Sequence, residues 1–382
     1  MKELTYSELK QLKPGSYILI DTRDSGSILY GMIPGAIHIP EQELWADLRK
    51  YTSEAPSEKT LILYCQRGVR SIDLAEEFEK QGREAFSLSG GYLAYLRDTV
   101  SSDKQSSETQ SKAENSIRRK YYKQLFTPFA KACKQYQLIQ EGDHIAVCIS
   151  GGKDSMLMAK LFQEIQSHRQ AKFDLTFLVM DPGYNADNRR LIEYNAKSLG
   201  IPITIFESSI FDAVDTVEKS PCYLCARMRR GYLYSKAKEL GCNKIALGHH
   251  YDDVIETILM GMLHGGQVQT MMPKLHSTNF EGMELIRPMY LIREADICKW
   301  RDYNELHFLQ CACHFTETCT TCHEDGTTSS KRLETKKLIA ELKKTNPQVE
   351  ANIFNSVSHV NLSTVIAYKE DGIKHHFLDS YI

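Results

Sequence analysis

The chain has 382 residues, of which 42% are hydrophobic and 25% are charged, and its formal net charge is −2. This length predicts two or three soluble domains, and the near-neutral charge argues against a globally basic nucleic-acid binder, so any RNA surface must be a local Lys/Arg cluster. No run approaches the roughly eighteen apolar residues of a membrane span, and no apolar run follows the first lysine as in an export signal, so we expect a cytoplasmic protein without membrane contact.

The first part of the chain predicts a small α/β domain, which we place at residues 1–100. Short apolar runs at 17–20, 61–64 and 85–88 are typical of buried strands. A helical pattern of apolar residues covers 71–81. Strands that alternate with helices in this way predict a layered α/β fold.

The strand at 61–64 leads directly into Cys65-Gln-Arg-Gly-Val-Arg70-Ser71 and then into the predicted helix. Backbone N–H groups of such a turn, the helix N-terminus and the nearby Arg70 favour a thiolate or an anionic persulfide at Cys65. The alternative is a buried and inert thiol, which is the more common state of a lone Cys at a strand end. We therefore take Cys65 as a candidate nucleophile and sulfur carrier, with Arg70 as its catalytic partner.

The Cys65 turn resembles the active-site loop of rhodanese-like sulfurtransferases. Three further segments agree with that family in chain order: Asp21-Thr-Arg23, Gly31-Met-Ile-Pro-Gly-Ala-Ile-His-Ile-Pro40 and Ser89-Gly-Gly-Tyr92. Met32 departs from the family, which often has His there. The resemblance implies a rhodanese-like fold, a Cys65 persulfide, and a sulfur donor such as thiosulfate or the persulfide of a cysteine desulfurase.

Residues 101–117 read SSDKQSSETQSKAENSI, with six Ser and almost no aliphatic side chain. Such a composition predicts a flexible linker, because it offers little apolar surface to bury. A second α/β pattern follows, with apolar runs at 144–149, 175–180, 203–206 and 244–247. Their alternation with segments of helix length predicts a doubly wound parallel sheet, with ligands at the carboxyl ends of the strands. We place this domain at 118–315, and a Cys/His-rich loop with a C-terminal extension at 316–382.

The strand ending at Ile149 is followed by a glycine-rich turn and a helix. Its glycines permit close approach of the backbone to phosphate, and N–H groups at the helix start attract an anion. This turn resembles the PP-loop of the ATP pyrophosphatase superfamily, an adenine nucleotide alpha hydrolase-like fold that holds the β and γ phosphates of ATP as the leaving unit. The resemblance implies ATP contacts at Ser150, Gly151, Gly152, Lys153, Asp154 and Ser155, and an adenine contact at Met180.

The last of these strands ends in Gly248-His-His-Tyr-Asp252-Asp253. Two adjacent carboxylates at a strand's carboxyl end are suited to hold Mg²⁺ between ATP oxygens, although one of them is expected to cap the following helix. We assign Asp252 and Asp253 to catalysis. Gly248 and His249 are candidate nucleotide contacts, and a satisfied core position is the alternative for the histidine.

Eleven Cys in a chain without an export signal favour thiolate and metal chemistry over disulfides. Cys222 and Cys225 form a C-x-x-C pair before Arg227-Met-Arg229-Arg230. With the segment from Gly248 to Leu275 and Arg287-Pro288, this pair resembles the tRNA 2-thiocytidine synthetase branch. The resemblance implies a four-iron four-sulfur cluster (4Fe-4S) on Cys222, Cys225 and Cys311, with one iron open for sulfur.

The sequence departs from that branch in the later cysteines. The usual C-x-x-C is Cys311-Ala-Cys313 here, and Cys319-Thr-Thr-Cys322 follows. Cys313 is therefore an alternative third ligand. A separate zinc site on Cys311, Cys313, Cys319 and Cys322 is equally open, because the spacing suits zinc.

These features predict an ATP-dependent tRNA sulfurtransferase that adenylates a pyrimidine oxygen and replaces it by sulfur from Cys65, through the cluster or directly. Movement of the first domain on the linker is expected to permit delivery, and the basic cluster at 227–230 is the expected tRNA contact. The resemblance alone implies an anticodon-loop cytidine. Alternatives are a lysidine-type or amidating enzyme with zinc, thiolation of another RNA base or a small molecule, and a non-catalytic sulfur carrier. A homodimer is left open.

Overall fold

The computed structural model describes residues 3–48, 59–101, 106–169, 171–208, 210, 221–308, 331–379 and 381. The described residues fall into two compact units. The larger unit spans Met1–His250 and Pro273–Cys322, and the smaller one spans Tyr251–Met272 and His323–Ile382. None of the described helices is both long and apolar enough to cross a membrane.

The larger unit begins with a five-stranded parallel sheet in the order β1-β5-β4-β2-β3. Its strands are β1 (Glu3–Leu4), β2 (Tyr17–Asp21), β3 (Ile37–His38), β4 (Thr60–Tyr64) and β5 (Ala85–Leu88). Its helices are α1 (Tyr6–Leu9), α2 (Glu41–Ala46), α3 (Arg70–Lys80) and α4 (Gly91–Ser101). Strand β4 is a continuous hydrophobic run from Leu61 to Tyr64 because both faces of the sheet are covered: Leu61 and Leu63 pack on the side of α3, and Ile62 and Tyr64 pack on the other side.

Helix α5 (Ser106–Arg118) occupies most of the segment in which the composition predicted a flexible linker. Ala113 and Ile117 of this helix are fully buried in the main apolar core. Lys112 also forms an ion pair with Glu305, at 3.0 Å. The linker prediction is therefore wrong from Ser106 onwards, because two apolar side chains one turn apart are enough to dock an otherwise polar helix.

The second sheet has six strands in the order β10-β11-β9-β6-β7-β8, and only the edge strand β10 is antiparallel to its neighbour. Its strands are β6 (His144–Ile149), β7 (Asp174–Asp181), β8 (Ile203–Glu207), β9 (Lys244–Ala246), β10 (Lys274–His276) and β11 (Glu284–Ile286). The helices around it are α6 (Thr127–Gln135), α7 (Lys153–Ser167), α8 (Ala186–Ser198), α9 (Pro221–Glu239) and α11 (Glu294–Tyr303). The predicted doubly wound parallel fold is confirmed.

The chain order reverses beside β6, which lies between β9 and β7. The connections from β6 lead outwards through β7 to β8 on one side, whereas β9 and β11 lie on the other side. In such sheets the crevice at the carboxyl ends of the strands on both sides of this point is the usual ligand site. The turn after β6 and the end of β9 meet there.

The smaller unit consists of helices and one hairpin. Its elements are α10 (Tyr251–Gly265), α12 (Lys331–Thr345), α13 (Val349–Ser356), β12 (Ala367–Glu370) and β13 (Ile373–His376). Tyr251 stacks on Phe354 with ring centroids 4.3 Å apart, which joins α10 to α13. Helix α12 is rich in lysine, and the sequence did not predict the hairpin.

Candidate active sites

The sulfur of Cys65 lies in a turn of backbone amides between β4 and α3. The Gly68 N–H donates to Sγ at 3.2 Å, and the Ser71 hydroxyl lies at 3.5 Å. The Cys65 side chain is only 7% exposed. Ser71 is held in turn by Ser87, with the two hydroxyl oxygens 2.8 Å apart. This arrangement gives an anion on the sulfur fixed hydrogen-bond donors.

Two glycines permit the Cys65 turn to pack against the segment that leads into α4. A Cβ on Gly91 would lie 2.3 Å from the Cys65 carbonyl oxygen, and one on Gly68 would lie 2.6 Å from that of Leu88. Both glycines also have positive φ, +56° and +81°. The Tyr92 N–H donates to the Cys65 carbonyl at 3.0 Å, which fixes the turn from the α4 side.

A buried ion pair between Arg23 and Asp21 supports the Cys65 turn. Arg23 and Asp21 are 2.6 Å apart, with side chains 3% and 0% exposed, and the Tyr64 hydroxyl donates to Asp21 at 2.8 Å. The Arg23 guanidinium lies 3.8 Å from the centre of the Tyr92 ring. Arg70 begins α3 beside the turn, is 58% exposed, and approaches Glu41 only to 3.9 Å. Its side chain is therefore available to a ligand outside the turn.

Gly91→Ala is expected to destabilise the Cys65 turn by about 3 kcal/mol, because a left-handed conformation and a backbone clash add. Sulfur transfer from thiosulfate to cyanide should then be lost at a lower denaturant concentration than in the unmodified chain. Gly82→Ala is the matched control, since Gly82 has φ +79° but nothing within 4 Å of a Cβ. Equal losses in the two variants would contradict the packing argument.

The glycine turn after β6 forms a compact loop closed by Ser155. The Ser155 hydroxyl oxygen accepts the Ser150 N–H at 3.1 Å and donates to the Gly152 carbonyl at 3.0 Å. Gly151 has φ +84°. Because α7 begins at Lys153, the first N–H groups of that helix have no partner within the helix, and they are suited to bind an anion at the carboxyl end of the central strand β6.

Lys153 is buried among carboxylates. Its Nζ lies 3.1 Å from both Asp154 and Glu294, and its side chain is 1% exposed. Burial alone would lower the pKa of Lys153, but the charges of Asp154 and Glu294 outweigh burial and raise its pKa above the ordinary value. The ammonium is therefore charged at any physiological pH and is suited to phosphate oxygens.

Gly248 and the histidines that follow it border the same loop. A Cβ on Gly248 would lie 3.3 Å from the backbone of Asp154 and Ser155, so the end of β9 approaches the start of α7 closely. His250 is buried, with Nε2 3.9 Å from Asp154 and 4.0 Å from Glu294. His249 is half-buried. The structure thus brings the predicted Gly248 next to the loop residues Asp154 and Ser155.

Met180 is the penultimate residue of β7, and its side chain is 2% exposed. An adenine contact there would fall to its main chain, and the assignment stays a prediction. The following Asp181 organises the loop: its carboxylate accepts the N–H groups of Gly183 and Tyr184, at 2.9 and 2.7 Å. Arg189 pairs with Asp181 at 3.1 Å, which ties the start of α8 to this loop.

Asp252 and Asp253 lie in the first turn of α10, in the smaller unit. Asp253 is paired with Arg332 of α12, at 2.5 Å, and is 18% exposed. Arg332 also lies 3.7 Å from Glu256, one turn further along α10. The sequence did not predict this pairing, which links the two helices.

Of the predicted cluster ligands, Cys222 and Cys225 lie in the first two turns of α9, whose side chains in that part are outside the described residues. Cys311, together with the alternative ligands at 313, 319 and 322, lies wholly outside the described residues. Arg229 follows on α9, and its guanidinium donates to the Tyr184 hydroxyl at 3.3 Å. The metal assignments stay predictions.

Comparison with known proteins assigns the second domain. Residues 117–313, more than half of the chain, match the sequence model of the PP-loop domain. The chain belongs to the PP-loop family. Residues 5–98 match the rhodanese-like domain, so the chain joins a rhodanese-like domain to a PP-loop domain. Both resemblances predicted from the sequence are confirmed.

Curated relatives of the PP-loop chain are named tRNA-cytidine(32) 2-sulfurtransferase. The protein from Anaeromyxobacter dehalogenans (strain 2CP-C) is 32% identical over 62% of this chain and 79% of its own length. That from Geobacter sulfurreducens is 31% identical over 63% of this chain and 90% of its own length. A solved structure, the U34-tRNA thiolase NcsA from Methanococcus maripaludis with its 4Fe-4S cluster, is 22% identical over 62% of this chain and 79% of that chain, with a TM-score of 0.48.

Sequence reasoning missed three residues that contact the predicted sites. Glu294 begins α11 and holds Lys153, but a lone Glu before a helix carries no signal for such a role. Tyr30 places its ring 5.1 Å from the Lys153 ammonium, although it belongs to the rhodanese-like domain. His307, in the PP-loop domain, contacts Tyr95 of α4, the helix whose Tyr92 bonds to the Cys65 turn. Only a three-dimensional structure brings such distant residues together.

Proposed function

We propose that this PP-loop protein thiolates cytidine in tRNA at the expense of ATP, using sulfur carried on Cys65 of its rhodanese-like domain. One observation carries the proposal: the chain is 32% identical over 62% of its length to a tRNA-cytidine(32) 2-sulfurtransferase, and its PP-loop domain at 117–313 contains the complete Ser150–Ser155 loop with a buried, charged Lys153. The Cys65 turn explains why a sulfur-carrying domain accompanies the PP-loop domain.

In the first step, the 2-oxygen of cytidine attacks the α-phosphorus of ATP, and pyrophosphate leaves. The glycine loop amides and Lys153 bind the β and γ phosphates and stabilise the charge that develops on the departing pyrophosphate. A base oxygen is a poor leaving group, and its conversion to an adenylate makes it a good one. Glu294 and Asp154 hold Lys153 in place, each at 3.1 Å.

We propose that Mg²⁺ binds together with ATP. Asp252 and Asp253 remain its proposed ligands on the sequence argument. In the glycine loop, Oδ1 of Asp154 is buried and has no hydrogen-bond partner among the described residues, as a carboxylate oxygen reserved for a metal ion would be. Mg²⁺ bound there would neutralise phosphate charge.

In the second step, hydrosulfide attacks carbon 2, AMP leaves with the original base oxygen, and loss of a proton gives the thiocarbonyl. Two thiols reduce the outer sulfur of a Cys65 persulfide to hydrosulfide by supplying two electrons, and they become a disulfide. Cys65 is left as a thiol. Thiosulfate or the persulfide of a cysteine desulfurase would reload Cys65. The Gly68 N–H and the Ser71 hydroxyl, which contact the Cys65 sulfur, would stabilise the anionic persulfide.

Cys222, Cys225 and Cys311 are the proposed ligands of a four-iron four-sulfur cluster, which would supply an open iron that binds sulfide. Cys222→Ser should therefore abolish the visible iron absorption of anaerobically reconstituted protein and lower thiolation by more than about 100-fold. Cys242→Ser is the control, because Cys242 is buried in a separate apolar cluster behind β9. Retention of full iron content and activity in Cys222→Ser would contradict the ligand assignment.

The tRNA contact is proposed at the basic face of α9, where Arg229 and the exposed Arg230 lie. A target base in a tRNA loop must turn out of its stack to enter a cleft. The test of the function is nucleoside analysis of tRNA from cells with and without the gene. Loss of 2-thiocytidine, and its recovery with the intact gene but not with a Lys153→Met copy, is the expected result. Unchanged 2-thiocytidine would overturn the proposal.

A further inference from the structure

The rhodanese-like and PP-loop domains share one apolar core. A single cluster of buried side chains includes Tyr92, Tyr95 and Leu96 of α4 and continues to Leu306 and Phe308 after α11. Arg97 of α4 also forms an ion pair with Asp187 of α8, at 2.6 Å. A shared core of this kind opposes free movement of one domain against the other, because separation would expose the buried apolar surface.

His307 lies at this junction and bonds to both tyrosines. Its Nε2 is 2.6 Å from the Tyr95 hydroxyl oxygen, and its Nδ1 is 3.2 Å from that of Tyr92. The His307 carbonyl accepts from the Asn195 amide at 2.8 Å, which anchors it to α8 of the PP-loop domain. A Cβ on Gly31 would lie 2.8 Å from Nδ1, so the rhodanese-like domain leaves room for the ring only because residue 31 is glycine.

The contacts of His307 continue to the Cys65 turn. Tyr92, which bonds to Nδ1, donates its backbone N–H to the Cys65 carbonyl at 3.0 Å. Its ring also supports Arg23, whose guanidinium lies 3.4 Å from the Gln66 side-chain oxygen. The position of His307 is thus linked through one residue to the backbone that carries the reactive thiol.

The other side of the junction reaches the nucleotide loop. The Tyr30 carbonyl of the rhodanese-like domain accepts the Phe308 N–H at 3.3 Å. The centre of the Tyr30 ring lies 5.1 Å from the Lys153 ammonium. Tyr30 of the rhodanese-like domain therefore contacts both Phe308, the residue after His307, and Lys153, the lysine proposed to bind ATP.

We propose that the rhodanese-like domain delivers sulfur to the PP-loop site of its own chain from this docked position, and that His307 is the positioning residue for the delivery. The inference rests on the proposed function. It replaces the expectation that the first domain swings on a flexible linker, since residues 106–118 form a helix packed into the core. Sulfur released from Cys65 is then produced in the same compact unit that holds the glycine loop.

The protonation state of His307 agrees with this positioning role. Burial, followed by the charges of Arg301 and Arg23, lowers the pKa of His307 to about 4. The ring is therefore neutral and has one donor and one acceptor nitrogen for the two tyrosine hydroxyls. The opposing Glu305 raises the pKa only in part.

The test follows labelled sulfur through one turnover. Full-length protein is loaded with radioactive persulfide at Cys65, freed of donor, and mixed with ATP, tRNA, a thiol reductant and an excess of unlabelled hydrosulfide. Docked delivery in the unmodified chain should place the label in tRNA largely undiluted. In His307→Ala the labelled fraction should fall at least about fivefold, while total thiolation stays within twofold.

Two further variants make the test specific. Tyr95→Phe removes the hydroxyl at 2.6 Å from Nε2 but retains the ring, and should lower the labelled fraction in the same direction. His144→Ala is the control, because His144 is also half-buried and its Nε2 bonds to a hydroxyl, that of Thr176 at 2.8 Å, at the start of β6. The labelled fraction of thiolated tRNA should be the same in His144→Ala as in the unmodified chain.

The outcomes separate the inference from the function. Equal labelled fractions in His307→Ala and the unmodified chain would overturn docked delivery, as would an equal loss in His144→Ala. Loss of all thiolation in the unmodified chain, even with hydrosulfide present, would instead contradict the proposed function. Mixing Cys65→Ser chains with Lys153→Met chains should not restore persulfide-dependent thiolation, and restoration would show delivery between chains and overturn the proposal.

Discussion

Lys153→Met should lower ATP-dependent thiolation by about 100- to 1000-fold, the usual effect of removing one donor that stabilises developing charge. The substitution removes the buried ammonium that lies 3.1 Å from Asp154 and Glu294, and leaves two carboxylates facing the phosphate site. Release of pyrophosphate in the presence of tRNA is the direct measurement. Added hydrosulfide should not restore activity, because adenylation precedes sulfur attack.

Lys160→Met is the matched control for Lys153→Met. Both lysines lie on α7 with side chains 1% exposed, but Lys160 bonds to Glu114 at 2.8 Å and to the Leu199 carbonyl at 2.7 Å, on the side of α5 and α8. This variant should lose stability and retain most of the pyrophosphate release at a temperature where it is folded. Similar losses of activity in both variants would contradict the role given to Lys153.

Cys65→Ser should lower thiolation by more than about 100-fold when thiosulfate or a desulfurase persulfide is the only sulfur source, because the oxygen cannot carry the transferred sulfur. With hydrosulfide supplied, the same variant should remain within about twofold of the unmodified chain, since the nucleotide site is intact. Analysis of 2-thiocytidine under both conditions gives the comparison. Normal thiolation from thiosulfate in Cys65→Ser would contradict the role of the rhodanese-like domain.

Cys133→Ala is the control for Cys65→Ser. Burial raises the pKa of the Cys133 thiol to about 12, so this cysteine stays protonated and inert. It lies on α6 in the apolar core, whereas Cys65 contacts a glycine amide and a hydroxyl. Thiolation in Cys133→Ala should not depend on which sulfur source is used.

The sequence predicted the strands well because buried parallel strands are continuous apolar runs. The predicted runs at 85–88 and 144–149 match β5 and β6, and those at 175–180 and 244–247 differ from β7 and β9 by one residue at their ends. The helix predicted at 71–81 is Arg70–Lys80. Local sequence patterns also located the Cys65 turn and the glycine turn after β6, because each turn joins a strand directly to a helix.

The sequence could not predict interactions that depend on packing between distant segments. Helix α5 is polar in composition, and only Ala113 and Ile117, buried against the core, stabilise it where a linker was expected. Glu294 holds Lys153 from 141 positions away, and His307 meets Tyr95 from 212 positions away. Neither residue belongs to a motif whose spacing indicates its role, so nothing local points to it.

In the proposed mechanism, the base oxygen leaves as part of AMP. The most direct measurement uses anaerobically reconstituted protein with ATP, hydrosulfide and unmodified tRNA, and counts AMP, ADP and 2-thiocytidine by mass spectrometry. We predict one AMP for each 2-thiocytidine formed, and no AMP without tRNA. Release of ADP and phosphate in place of AMP, or AMP release without 2-thiocytidine, would contradict the mechanism.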